Sequence, residues 1–364
     1  MSNEWTIAAV GDLLVKPQLI KAMRTVRKPN EASGHPKVEY DFGQAFEAVA
    51  PYLKQAHLTI GNLETNFAGG ASDYTQTHRH ASNRNPLFNC PDELAPALKE
   101  AGFDVLATAN NHCMDYGIRG LKRTLATLDK FGITHVGTFR DQNEARSLCL
   151  KTVQGMRVGI LAYTRGTNGI PVPKGQPAGV KKLNRNAISK DMERLRAVSD
   201  LIIVCMHNGY EYDSRPSDPQ KSWVRFLFNE GADLVLGSHP HVLQPAICLK
   251  VKDKFGRTRK RFAIYSLGNF ISTRLHGKDE ALTGIIALIK IKKNKRGSFL
   301  LSAINYVPTW VWLSNDKQEP KCRIIPIHKS IAQPEDFDSR QLNRIQRAFR
   351  RTLRMYEGVM SPLD

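Results

Sequence analysis

Cysteine is sparse in this chain of 364 residues: there are six, and no two form a Cys-x-x-Cys pair. Cys90, Cys113, Cys149, Cys205, Cys248 and Cys322 are scattered, which argues against a zinc ribbon or a disulfide framework. Cys205, inside an apolar run, and Cys113, with no nucleophile elbow around it, read as packing residues. No apolar run reaches about eighteen residues, so no segment reads as a membrane-spanning helix. The start, Met1-Ser-Asn-Glu-Trp5, has neither the basic opening nor the long apolar core of a signal peptide, so a cytoplasmic location is expected. Acidic side chains are also few, 34 against 53 Lys and Arg, leaving a formal net charge of +19. The excess gathers late, at 250–254, 257–261, 290–296 and 340–354. Such blocks attract phosphorylated substrates, acidic polymers, nucleic acid or anionic lipid. No zinc finger, RNP-type aromatic motif or recognition-helix signature accompanies them, so no specific nucleic acid is expected. An anionic small molecule or polymer is the expected partner, and the basic end could draw the protein to a membrane surface.

What is present is a repeated arrangement of strand ends. Five apolar segments each stop abruptly at a ligand-type side chain. Residues 6–10 run into Gly11 and Asp12, 57–60 into Asn62 and Glu64, and 103–108 into Asn110, Asn111 and His112. Residues 200–206 run into His207, and 232–237 into His239 and His241. Amphipathic helices are expected between them over 41–50 (cut by Pro51), 91–101, 120–130 and 219–230; the last three stop at Gly102, Gly132 and Gly231. That alternation predicts an α/β sheet covered by helices. Later segments read as a strand and turn over 261–271 and a hairpin of 283–292 with 299–307. A basic amphipathic helix over 339–355 has Leu342, Ile345, Phe349 and Leu353 on one stripe. No Pro/Gly/Ser-rich linker divides the site-bearing segments, so one domain over 1–330 and a basic helical tail over 331–364 are expected. The polar stretches 69–89 and 166–182 read as loops on the ligand side.

One histidine after a strand is ordinarily a hydrogen-bonded loop residue. Five strand ends offering Asp, Glu, Asn and His together point instead to a metal site, because buried parallel strands fix the loops that present ligands. Oxygen and nitrogen donors without thiolate suit Mn, Fe or Zn.

Six short motifs occur in order: Gly11-Asp12; Asn62-Leu63-Glu64; Ala109-Asn110-Asn111-His112 with Asp115-Tyr116-Gly117; His207-Asn208-Gly209-Tyr210-Glu211-Tyr212; Gly237-Ser238-His239-Pro240-His241; and Ser266-Leu267-Gly268-Asn269-Phe270. Together they resemble the CapA-type capsule synthesis family, named for poly-γ-glutamate capsule production and similar to the calcineurin-like metallophosphoesterases. The likeness covers roughly the first three quarters of the chain. It implies a four-layer α/β/β/α metallophosphatase-like sandwich and one or two divalent ions. Asp12, Glu64, Asn111, His207, His239 and His241 would be ligands, with Glu64 bridging. His112 would protonate the leaving group, and Asn269 would hold a ligand or a water in place. Arg79 and Arg165 are candidate substrate clamps from their loop positions. One departure stands out: the metallophosphoesterase pattern Asp-x-His has Leu14 at its histidine position. The resemblance therefore implies metal-dependent hydrolysis, of a phosphate ester first. The alternatives are amide or α-carbon proton chemistry on a glutamyl substrate, or a non-enzymatic polyanion-binding accessory role beside envelope-synthesis proteins.

Overall fold

Alternate residues along the first strand, Glu4–Leu13, enter two different cores. Ile7 and Ala9 belong to one apolar cluster, Ala8 and Val10 to another. A strand with apolar residues on both sides must be covered on both faces. The computed structural model describes residues 4–27, 37–70, 73–176, 178–295, 297–314, 316, 318, 320–333 and 337–363. In it, this strand lies centrally in a nine-stranded mixed sheet. Leu58–Leu63 pairs with it in parallel, followed outward by Val105–Ala107 and Thr134–Val136. On its other side the antiparallel strands Thr283–Lys293, Phe299–Leu313 and Cys322–Pro326 follow in turn. A second, six-stranded sheet has a parallel centre of Met156–Thr164, Leu201–His207, Leu234–Ser238 and Thr258–Leu267, edged by antiparallel Cys149–Val153 and Leu243–Lys252.

The two sheets share one apolar interior, in which Ile7, Ile60 and Val105 of the first join Ile160, Ile203, Leu236 and Phe262 of the second. Helices cover the outer faces. Leu19 and Ile20 of Pro17–Met23 and Leu94 and Leu98 of Leu94–Ala101 pack with Val10 and Leu13. On the second sheet, Ile188 and Leu195 of Arg185–Arg196 and Val224 and Leu227 of Asp218–Asn229 pack with Val204 and Met206. Each fully buried aliphatic side chain contributes about 1.5–3 kcal/mol, so this layering fixes the strand ends firmly. Among the described residues no helix is long and apolar enough to cross a membrane.

Local signals set most boundaries. Gly102 adopts φ +108° and its N–H turns back to Leu98 and Lys99, ending Leu94–Ala101 as a left-handed glycine cap does. Ser217 and Gln220 form a reciprocal capping box at the start of Asp218–Asn229. Gly117–Lys130 starts three residues before the expected 120–130. The helix expected over 41–50 is corrected: Gly43–Phe46 and Ala50–Lys54 are separate, and Pro51 opens the second. Proline is tolerated in a first turn because its missing N–H has no intrahelical partner there. The strand expected to stop at 307 continues through Pro308, opposite Ile285, to Leu313, and pairs with Cys322–Pro326, which the sequence pattern did not suggest.

The helix Ser339–Tyr356 is anchored to the body. Ile345 enters the helix-side core and Tyr356 the inter-sheet core, where its hydroxyl donates to the Gln244 carbonyl at 3.2 Å. Beyond it, Ser361–Pro362 pairs with Phe299–Leu313.

Gly11 lies where the register between the strands Glu4–Leu13 and Leu58–Leu63 shifts, and a Cβ there would collide with the Gly268 carbonyl oxygen. A methyl group at Gly166 would meet nothing within 4 Å. Gly11→Ala should therefore lower unfolding free energy in urea by about 1–3 kcal/mol, whereas Gly166→Ala should change it by less than about 0.5 kcal/mol. Equal effects would mean that the Gly11 approach is not tight.

Candidate metal centre

The carboxyl ends of both sheets meet at one place. Glu64, His207 and His239 offer ligand atoms all within 4.8 Å of one another, and so do Asp12, Glu64 and His241. Glu64 belongs to both groups. Asn62 and Glu64 are two residues apart along an extended segment and so face the same side; Asn62 donates to Asp12 Oδ1 at 2.7 Å. The structure thus brings together the five charged or imidazole ligand candidates, and Asn111 joins them with Oδ1 at 2.8 Å from His207 Nε2.

Glu64 is fully buried, and neither of its oxygens has a hydrogen-bond partner. His207 Nε2 stands 3.4 Å from Oε1 and His241 Nδ1 3.8 Å from Oε2. Burial, with the Asp12 carboxylate next, pushes the Glu64 carboxyl well above its usual range. Burial likewise pushes His207 well below the ordinary histidine value, helped by the neighbouring His239 and His241. His239 is lowered to about 4, by burial first and then by His241. Burial opposes charge on His241 too, but the hydrogen bond and charge of Asp12 outweigh it and hold this imidazole above its ordinary value. Unpartnered carboxylate oxygens beside His207 and His239, both held towards the neutral form, are a donor set without an acceptor of its lone pairs. Nitrogen and oxygen donors so arranged fit a divalent ion.

Neighbours fix the rings. Asn269 donates through Nδ2 to the Ala281 carbonyl at 2.8 Å, so its Oδ1, 3.0 Å from His241 Nδ1, accepts. His241 therefore carries a proton on Nδ1, and its lone pair, when the ring is neutral, is on Nε2. Around His207, Nε2 faces Asn111 Oδ1 and Glu64 Oε1, while Nδ1 faces Ser238 Oγ at 3.2 Å. Asn62 Nδ2, which can only donate, also stands 3.2 Å from Nδ1, so Nδ1 accepts and the Ser238 hydroxyl, able to donate, fits that tautomer. His239 and His241 hold φ of +101° and +60°, a region non-glycine residues rarely occupy. The His239 N–H reaches Asp12 Oδ2 at 3.3 Å, and the Nδ1 of His239 is buried without a partner.

His112 belongs to neither ligand group. Its Nδ1 is 2.9 Å from Asp115 Oδ2, which also accepts from the Phe88 N–H at 2.7 Å, and its ring packs on Phe88. Nε2 faces Asn168 Nδ2 at 3.4 Å. Asn168, from the loop expected over 166–182, also accepts from Asn111 Nδ2 at 3.1 Å. Arg79 and Arg165 are exposed and, among the described contacts, touch none of the ligand candidates. Arg79 donates to the Arg84 carbonyl at 2.9 Å, and Arg165 lies over the Tyr210 ring at 5.7 Å. Leu14 packs with Phe88, Leu275 and Ala281, so no side chain from that position reaches the cluster.

The sequence pattern assigns no individual role to Asn62, Asp115, Ser238 or Asn168. Asp115 had a legible signal, three residues after His112 within a quoted motif, and Asn62 shares the face of Glu64. Asn168 had none, since it comes from a loop 57 residues beyond Asn111.

Residues 6–274 match the family described as "Bacterial capsule synthesis protein PGA_cap". The chain is 32% identical over 251 residues to the capsule biosynthesis protein CapA of Bacillus anthracis, covering 67% of this chain and 57% of that protein. It is 28% identical over 298 residues to the PGA biosynthesis protein CapA of Bacillus subtilis (strain 168), covering 81% and 70% respectively. It therefore spans little more than half the length of the first relative. Its fold is similar to that of the NAD nucleotidase of Haemophilus influenzae, with a TM-score of 0.50 over 99% of this chain and 64% of that one; at 11% identity the likeness is one of fold alone. With a mixed α/β sandwich on the page and three quarters of its length matched, the chain belongs to the bacterial capsule synthesis (PGA_cap) family.

Proposed function

We propose that the chain is a metal-dependent hydrolase whose first substrate class is a phosphate ester, with one or two divalent ions held by Asp12, Glu64, Asn111, His207, His239 and His241. The observation that carries this reading is Glu64, a buried carboxylate with both oxygens unpartnered and shared by two ligand groups. Divalent ions held there supply Lewis-acid polarisation of the ester and lower the pKa of water towards neutrality. His112 is the general acid. Asp115 fixes its Nδ1, so Nε2 is the atom that gives a proton to the leaving oxygen. Asn269 and Ser238 orient His241 and His207. Arg165 and Arg79 are the residues that would meet substrate anions at the rim. The Asp12 side has three protein donors and Leu14 where a fourth would come, so it would hold an ion more weakly than the His207 side.

A second reading, amide chemistry on a glutamyl substrate, is favoured by that reduced donor set. It is supported as well by the relatives, which are described as capsule and PGA biosynthesis proteins. Assay of p-nitrophenyl phosphate mono- and diesters beside γ-glutamyl peptides, each with Mn added, separates the two. Ester turnover without peptide turnover supports the first, and the reverse replaces it.

Two substitutions test the roles. His239→Ala should remove bound metal, measured by elemental analysis, together with turnover; full turnover by metal-free protein would sink the hydrolase reading. His112→Asn should keep both metal and folding while lowering turnover about a hundredfold or more. The loss should shrink for p-nitrophenyl esters, whose leaving group needs no proton. Loss of metal from this variant would make His112 a ligand instead.

A further inference from the structure

The His241 ring is held from a distance. Its Nδ1 proton has two acceptors within reach, Asn269 Oδ1 at 3.0 Å and Asp12 Oδ2 at 3.2 Å. While Asn269 takes that proton, Asp12 keeps its lone pairs for an ion. Asn269 presents its oxygen because its Nδ2 is anchored on the Ala281 carbonyl at 2.8 Å; without that anchor the amide can turn its NH2 group to the ring instead. Ala281 lies in Asp279–Leu282, a single 3₁₀ turn just before the strand Thr283–Lys293. The hydrogen bonds inside such a turn are poor, so its surroundings must fix it.

Those surroundings are apolar on the inner side and ionic on the outer. Ala281 packs with Leu14, Phe88 and Leu275. From outside, Arg344 of the helix Ser339–Tyr356 takes the Asp279 carboxylate with two bonds of 2.8 Å, and Arg351, about two helical turns on, pairs with Glu280. Arg274 adds a third bond to Asp279 at 2.8 Å. The Arg344 and Asp279 side chains are only 21% and 28% exposed, so solvent screens this pair less than a surface one. The helix cannot drift from these partners, because Ile345 and Tyr356 are buried in the two cores. Tyr356 also reaches the metal side by a second route. Its hydroxyl donates to the carbonyl of Gln244, three residues after His241, and the Gln244 amide donates to the Asp213 carbonyl at 2.7 Å. The preceding residue, Tyr212, gives its N–H to the Pro240 carbonyl at 2.8 Å, between the two positive-φ histidines.

We propose that Arg344 and Arg351 are positioning residues of the metal centre, fixing the His241 ring through Asp279–Leu282 and Asn269. The helix Ser339–Tyr356 thereby acts as a strap on that centre. Both the helix and Asp279–Leu282 lie beyond residues 6–274, so a ligand inside the matched family region depends on chain outside it. The inference rests on metal binding at this site, one half of the proposed function, and not on hydrolysis. A helix that only added stability would leave the metal affinity of the folded molecules unchanged.

The test uses the full chain, with Mn binding followed by calorimetry well below the melting temperature of each variant. Arg344→Ala with Arg351→Ala should weaken Mn binding on the order of tenfold, the lower end of what loss of an outer-shell partner costs. In the metal-free, 15N-labelled protein the same variant should shift the side-chain NH2 signals of Asn269. Arg350→Ala with Arg354→Ala removes the same charge from the adjoining open face of the helix and should leave both readouts unchanged. Arg351→Glu alone should weaken Mn binding, and Glu280→Arg added to it should restore the affinity, which a general loosening of the helix does not predict. Wild-type readouts in the Arg344/Arg351 variant, equal losses in the Arg350/Arg354 variant, or no recovery in the exchanged pair would each overturn the proposal. A wild-type protein that binds neither Mn nor Zn would instead remove the metal reading, and the Asn269 signals would still decide whether the helix positions this side chain.

Discussion

A carboxylate carried into a protein interior loses hydration worth on the order of several kcal/mol, and the fold must return it through a countercharge or keep the group protonated. Glu64 is that group here. Asp12 lies beside it, equally buried, so the two negative charges oppose each other, and burial with repulsion raises the Glu64 carboxyl. The surrounding imidazoles do not relieve this uniformly: His207 and His239 are held towards the neutral form, and only His241 is favoured as a cation. Protons and any divalent ion bound there would therefore compete for the same lone pairs.

Placing those donors requires backbone that the chain would not adopt alone. His239 and His241 both have positive φ around Pro240, at a cost of order 1–3 kcal/mol each. Gly11, Gly237 and Gly268 allow neighbouring backbones to approach where any Cβ would collide. The apolar interior between the sheets holds these strained ends in place, since its strands are buried over their whole length. Packing far from the chemistry is thus what fixes the chemistry.

Charge is distributed to a different logic. The acid-free helix Ser339–Tyr356 reads in isolation as a solvated basic face. Docked through Ile345 and Tyr356, it becomes one wall of a cleft whose other wall follows the metal-side segment. The arginines then differ from one another: Arg344 and Arg351 are tied to Asp279 and Glu280, while Arg350 and Arg354 lie along the open face.

Features that depend on local pattern were legible in the sequence. Short apolar runs and their abrupt ends predicted the parallel strands and pointed to Asp12, Glu64, Asn111, His207, His239 and His241. Glycine stops gave the ends of three helices, and the absence of thiolate pairs narrowed the donor chemistry. Where a residue has two local readings the pattern erred, as with Pro51, which opens a helix as readily as it ends one, and with the strand that runs through Pro308. Contacts across long stretches of chain had no such trace. The sharing of Glu64 by two ligand groups, the Asn168 contact with His112, and the pairing of Arg344 with Asp279 depend on which sheet edges and loops meet. That is decided by burial of the shared apolar interior, a property of the whole chain. Sequence by itself determined which side chains could bind a metal, and the tertiary structure alone decided which of them lie together.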